Sequence, residues 1–197
     1  MANNNNCELR TGYISDYDPK RHMARVIFPD KGFLVSGWLP VSVRNSKRNH
    51  DENHLDINEH VLCLFEGNGV EEGFILSALY DDKNTPPDSD PDIRKILFDD
   101  GSVITYDRKN HKETHLYNDG TEISYNASNG EFKANFSGGE SISYNKAEHN
   151  VKISGSNGSE ILLNDSRVHI HDHWGSYITF ENDSITARAH NIDIQEY

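Results

Sequence analysis

The sequence predicts an all-β protein of two parts, a small closed barrel followed by a stack of repeated strands. Three observations carry that prediction. Hydrophobic residues make up only 35% of the 197 and leucine is scarce, which leaves too few apolar positions for amphipathic helices. Asn, Asp, Gly and Ser are plentiful, and the first three tolerate the positive φ that tight hairpin turns need. A Gly-x-x-Ile-x-aromatic element then recurs through the second half of the chain.

The first half reads as five strands of unequal length. Leu9 to Tyr17 and His22 to Phe28 flank the turn Asp18-Pro19-Lys20-Arg21. Phe33 to Val41 and His60 to Phe65 follow, and a last strand from Gly73 to Tyr80 comes after Gly67-Asn68-Gly69. Five strands within residues 1–80 suit a small barrel, which buries a core without leaving edges. Between the third and fourth strands, Arg44 to Asn58 is a polar insertion holding Arg44, Lys47, Arg48, His50 and His54. It is the chain's one basic patch, either a solvated loop or a partner surface. Cys63, flanked by Leu62 and Leu64, is expected to pack as a small apolar residue.

Residues 81–97 interrupt the strand pattern. Pro86, Pro87 and Pro91 stand among Asp81, Asp82, Asp88, Asp90 and Asp92. Proline cannot donate to a ladder and the like charges repel, so this stretch is expected to be an extended acidic linker and neck.

From residue 98 to 197 the chain repeats. Gly101-Ser-Val-Ile104-Thr-Tyr106 returns as Gly120…Ile123…Tyr125, Gly139…Ile142…Tyr144, Gly158…Ile161…Leu163 and Gly175…Ile178…Phe180. The glycines are spaced 19, 19, 19 and 17 residues apart. Residues three and five after each glycine share one face of a strand, with a small polar residue facing the other way between them in most copies. Asp100-Gly101, Asp119-Gly120, Gly138-Gly139 and Asn157-Gly158 are hairpin-type turns. Each unit also holds a second strand, such as Glu131 to Phe136 or Asn150 to Ser154.

One repeat buries little. Its two anchors and one or two further apolar residues, at about 1.5–3 kcal/mol each when fully buried, are small against the cost of ordering 19 residues. A single-chain left-handed β-helix would need three apolar elements per coil, and this sequence supplies one. Several chains are therefore expected to share the core. Periodicity alone does not fix their number.

These residues together resemble the phage baseplate assembly protein V family, the central spike of contractile tails, related to type VI secretion and tailocin spikes. The resemblance runs through Arg10-Thr11-Gly12-Tyr13-Ile14, Ala24-Arg25-Val26-Ile27-Phe28-Pro29, Ser36-Gly37-Trp38-Leu39-Pro40-Val41 and Glu59-His60-Val61-Leu62-Cys63-Leu64-Phe65. It continues through Glu72-Gly73-Phe74-Ile75-Leu76-Ser77-Ala78-Leu79-Tyr80, Pro86-Pro87 and Phe98-Asp99-Asp100-Gly101-Ser102. It implies an OB-fold barrel at the tube end and a homotrimeric, intertwined β-helix needle that punctures the target envelope. It also implies tail-tube, hub and baseplate partners, a place in the virion or tailocin particle, and assembly in the bacterial cytoplasm.

The densest cluster of ligand-type side chains is Val168-His169-Ile170-His171-Asp172-His173-Trp174. His169 and His171 point the same way on a strand. Some spikes of the resembled family hold an axial iron between three such pairs, which implies one Fe or other transition metal per trimer. Counting from the repeat glycine instead turns both histidines outward, as surface residues. Asp107 and Glu113 are the best available acid/base pair, but a turn and an outward strand place both in solvent. Tyr106, Tyr125 and Tyr144 could stack on sugars or on one another within an interface.

The charges and motifs exclude more classes than they name. A net charge of −13 repels phosphate backbones, so no nucleic-acid partner is expected. No apolar run approaches the roughly 20 residues of a membrane helix. The Asn-rich start lacks a secretory pattern, and Cys7 and Cys63 make no disulfide framework, so a reducing cytosol is the expected site of synthesis. No nucleophile elbow, phosphate loop or Cys–His pair is present. The expected function is structural and non-enzymatic; the alternative is a small carbohydrate-binding or carbohydrate-cleaving β-helix protein.

Overall fold

A computed structural model describes residues 7–50, 53–67 and 69–192. The chain divides into two compact units between Pro86 and Pro87. Both are built of antiparallel strands, and no α-helix occurs among the described residues.

The first unit holds β1 (Cys7–Asp18), β2 (Met23–Phe28), β3 (Leu34–Val35), β4 (Leu39–Pro40), β5 (His60–Glu66) and β6 (Gly73–Ala78). The strand order is β3-β2-β1-β5-β6, with β4 also on β2. The sheet rolls back on itself beyond β4. Val41 bridges Ile75, the Ser42 N–H donates to the Ile75 carbonyl at 2.8 Å, and its hydroxyl donates to Leu76 at 2.7 Å. Strict alternation turns Ala24, Val26 and Phe28 of β2, and Val61, Cys63 and Phe65 of β5, inward onto Ile14, Leu39 and Ile75. The Phe28 and Phe65 rings meet edge to face at 5.7 Å. Burial pushes the Cys63 thiol up to about 12, so it packs as an apolar residue, as its neighbours predict.

Two features of this unit depart from expectation. The third strand splits into β3 and β4, because Ser36 and Gly37 turn to other partners. The Ser36 N–H bonds Val26, the Gly37 N–H bonds Val70 at 3.2 Å, and the Ser36 hydroxyl accepts from the Val26 N–H. The polar insertion is also not wholly solvated. Leu55 is 7% exposed and belongs to the barrel core.

The second unit is a single eleven-stranded sheet in which strands β7 to β17 follow one another in chain order. They are β7 (Ile93–Leu97), β8 (Val103–Asp107), β9 (Lys112–Leu116), β10 (Glu122–Asn126), β11 (Glu131–Asn135) and β12 (Ser141–Asn145). Then come β13 (Asn150–Ser154), β14 (Glu160–Leu163), β15 (Arg167–His171), β16 (Tyr177–Glu181) and β17 (Ser184–Arg188). The sheet starts inside the stretch read as linker and neck. Ile93 to Leu97 pair with β8, and Lys95 reaches back to Asp88 at 2.5 Å. The proline run ends at Pro91, and the alternating Ile93-Arg-Lys-Ile-Leu97 that follows can donate every ladder bond.

One turn geometry recurs along one edge of this sheet. Gly101, Gly120, Gly139, Gly158 and Gly175 all have φ between 86° and 94°, and each N–H donates to the carbonyl three residues earlier. Only glycine adopts that conformation without a steric cost. At the opposite edge, four-residue connections such as Ala127–Gly130 shorten to Asp165-Ser166 and Asn182-Asp183. This two-residue loss produces the single 17-residue spacing. An even shift preserves the faces of a strand, so the pattern of inward and outward residues survives it.

Candidate functional site

Ladder pairing sorts the second sheet into rows. One row runs Ile96, Ile104, His115, Ile123, Ala134, Ile142, Ile153, Ile161, Ile170, Ile178, Ala187. The next row on the same face runs Arg94, Tyr106, Glu113, Tyr125, Phe132, Tyr144, Val151, Leu163, Val168, Phe180, Ile185. Every repeat position read from the sequence as core therefore stands on one face. The opposite face carries Lys95, Thr105, Thr114, Ser124, Lys133, Ser143, Lys152, Leu162, His169, Thr179 and Thr186 in its central row, and its flanking rows mix Glu122, Glu131 and Glu160 with Leu97, Val103 and Leu116. Lys133 pairs with Glu131 at 2.7 Å there, and Lys152 pairs with Glu160.

The apolar face is uncovered. In the whole second unit only Ser124, Gly130 and Ala134 are buried among the described residues. Tyr125 is 49% exposed, Tyr144 40% and Ile153 41%, although each stands in a row that is apolar from β10 onward. A sheet of this size leaves several hundred Å² of contiguous apolar surface, more than monomeric soluble proteins ordinarily carry. The ladder itself has no vacancy between β7 and β17. Each strand from β8 to β16 already bonds both chain neighbours, so an added strand at either end would not cover this face.

The turns at the glycine edge are laced together. Asp100 Oδ1 accepts from the Ser102 N–H and Asp119 Oδ1 from the Thr121 N–H, both at 2.8 Å. The Ser102 hydroxyl accepts from the Asn118 N–H at 3.2 Å, and the Thr121 hydroxyl from the Ser137 N–H at 3.3 Å. The backbone N–H of Thr121, and then its hydroxyl, hold the Asp119 carboxyl below the ordinary carboxylate range.

The histidine pair lies on the other face. His169 pairs with Leu162 and Thr179, and His171 with Glu160 and Tyr177, in rows that contain Lys152 and Ser154. Their rings are 5.4 Å apart, and His169 Nδ1 lies 2.6 Å from the Thr179 hydroxyl. Both histidines therefore stand on the face opposite the Ile and Tyr rows. Among the described residues no group of three or more His, Cys, Asp and Glu is placed to hold a metal.

Asp107 and Glu113 are not brought together. Asp107 ends β8 on the polar face and accepts from the Asn110 N–H at 2.9 Å. Glu113 is exposed, as its solvated reading expects, but shares a face with the Ile and Tyr rows, and its Oε1 lies 2.8 Å from His115 Nε2. Its face is not legible in Lys112-Glu-Thr-His-Leu116, which shows no apolar alternation; only pairing with Tyr106 and Tyr125 reveals it.

Fold and surface thus define a class: an all-β chain with a rolled-up sheet and a long single-layer sheet whose apolar face lies uncovered. The sequence is 29% identical over 99 residues to the Spike protein of Escherichia phage P2. That stretch is 50% of this chain, which spans only 46% of the phage protein's length. No protein-family profile matches the chain. Among solved structures it is similar to the E1021V TCP10 domain of Danio rerio CPAP, at 11% identity and TM-score 0.35, covering 87% of this chain and 79% of that one. It is also similar to the TCP domain of Drosophila melanogaster SAS-4, at 17% identity and TM-score 0.30, covering 55% and 75%.

Proposed function

We propose that this protein is the structural, non-enzymatic central spike of a contractile phage tail or tailocin baseplate. The first unit serves as an OB-fold barrel that docks on the tail tube and hub. The second serves as one side of a homotrimeric β-helix needle that breaches the target envelope. Three copies lay their apolar faces together, which removes the Ile and Tyr rows from water and leaves the Lys, Ser, Thr and Glu rows outside. Because the ladder is filled from within the chain, the copies meet face to face and need not exchange strands. His169 and His171 then decorate the outer surface. The particle is assembled in the bacterial cytoplasm, and its roughly threefold charge, about −39 for copies of −13, keeps the shaft from sticking to its neighbours.

The observation that carries this reading is the uncovered apolar face across eleven strands, and the likeness to a phage spike protein supports it. Sedimentation of the purified chain tests it. The expected species is about 67 kDa, three times the 22.4 kDa of one chain. A monomer that stays folded at micromolar concentration would overturn the reading.

A further inference from the structure

The two apolar rows interrupt their pattern at one place. Apart from tyrosines, their ionisable residues are Arg94 on β7 and Glu113 and His115 on β9. The three cluster at the first strands of the sheet, and every later position is Ile, Val, Leu, Ala, Phe or Tyr. Arg94 and Glu113 line one cleft of about 270 Å³ with Ile96, Ile104 and Tyr106. They do not meet within the chain, because Tyr106 occupies the ladder position between them. His115 holds one oxygen of the Glu113 carboxylate, and Arg94 has no ion-pair partner within 4 Å among the described residues.

We propose that Arg94 of one copy pairs with Glu113 of a neighbouring copy, a polar clamp that fixes the register of the assembled sheets. This rests on the face-to-face association proposed above and names the contact that specifies it. The physical need comes from the repeat. Apolar rows with an Ile on nearly every strand match themselves almost as well when one copy slides by a hairpin. A weakly specified register of that kind invites misassembly. Burying a guanidinium and a carboxylate without partners costs several kcal/mol per ion, whereas a hydrogen-bonded pair recovers much of it. Any slipped register therefore sets Arg94 or Glu113 against Ile or Tyr and is rejected. The charges of Arg94 and Glu113 cancel in each copy, so the clamp adds no net charge to a dry interior. A single buried polar group sets register and copy number in coiled coils by the same logic.

Two sets of full-length variants test this. Arg94→Glu and Glu113→Arg each place like charges together, and the concentration at which half the chains are assembled is expected to rise tenfold or more. The double exchange R94E/E113R is expected to restore most of that loss. In a Cys7→Ser background, Arg94→Cys combined with Glu113→Cys is expected to give disulfide-linked oligomers on non-reducing denaturing gels, while either cysteine alone gives none. A bridge within one chain is excluded, because positions two strands apart are about 9–10 Å apart and a disulfide spans at most about 7 Å between Cα atoms. A wild-type protein that sediments as a monomer would remove the association itself. An assembled wild type with no rescue by the exchange, and no linked species from the cysteine pair, would overturn the clamp and leave the association standing.

Discussion

The Tyr17 hydroxyl lies 2.6 Å from His54 Nδ1 and 2.9 Å from His22 Nδ1, tying the polar insertion to the end of β1. One phenol carries one proton, so it donates to one imidazole and accepts from the other. With Leu55 set in the barrel core beside it, this junction gives the insertion a fixed base. Tyr17→Phe is expected to cost about 1 kcal/mol and to speed amide exchange over residues 53–58, with the core strands unaffected. Unchanged exchange there would show that Leu55 alone holds the segment.

Neighbouring residues on β12 separate the two faces of the shaft. Ile142 stands in the apolar row, and Ser143 faces the other way between Lys133 and Lys152. Ile142→Glu is expected to abolish assembly in sedimentation. Ser143→Glu gains two lysine neighbours across the ladder and is expected to assemble like wild type. Equal behaviour of the two variants would mean that the apolar face is not the one covered.

Two glycines are required for different reasons, and alanine separates them. At Gly12 a methyl group would sit 2.6 Å from the Ile27 carbonyl oxygen and 2.6 Å from Val26 Cγ1, inside the barrel wall. Overpacking of that kind costs about 1–3 kcal/mol. At Gly101 the space is open, but φ is 86°, and the left-handed backbone costs a side chain about 1–2 kcal/mol. Urea unfolding monitored for each unit is expected to place the first loss in the barrel and the second in the shaft.

Acid sensitivity follows from the turn carboxylates. Asp107 and Asp119 titrate below the ordinary 3.8, because turn N–H donors favour their charged forms, chiefly that of Asn110 for the first and of Thr121 for the second. A depressed folded value means that the contribution is complete above the unfolded value and is lost as pH falls through the lower, folded one. Asp119→Asn keeps the acceptor and removes the titration. Its melting temperature is expected to match wild type at pH 7 and to fall less between pH 5 and pH 2. A steeper acid loss in the variant would contradict the assignment.

The repeat was legible because each unit states its turn, its face and its period together. Gly120, Ile123 and Tyr125 mark three separate constraints within six residues. Ile93 to Leu97 was hidden because the neighbouring prolines and aspartates dominate composition over that window, although its own alternation suits a strand. Leu55 was hidden by its surroundings, a lone apolar residue whose burial depends on tertiary contacts. The exposure of Glu113 was legible but its face was not, because local alternation fails on β9 and the face is dictated by partners on β8 and β10. The orientation of His169 and His171 was readable, since parity along a strand depends on counting alone.

Because every strand of the shaft bonds only to its immediate predecessor and successor, its length is a free variable. Excising residues 121–139 would join Gly120 to Glu140 and superpose one turn on the next with no rung mismatched. A gene can thus gain or lose reach in increments of two strand spacings, about 9.5 Å, while both termini of the array stay as they are. On the proposed needle role, duplication or deletion of one repeat would change that reach while β7 to β9 stay as they are.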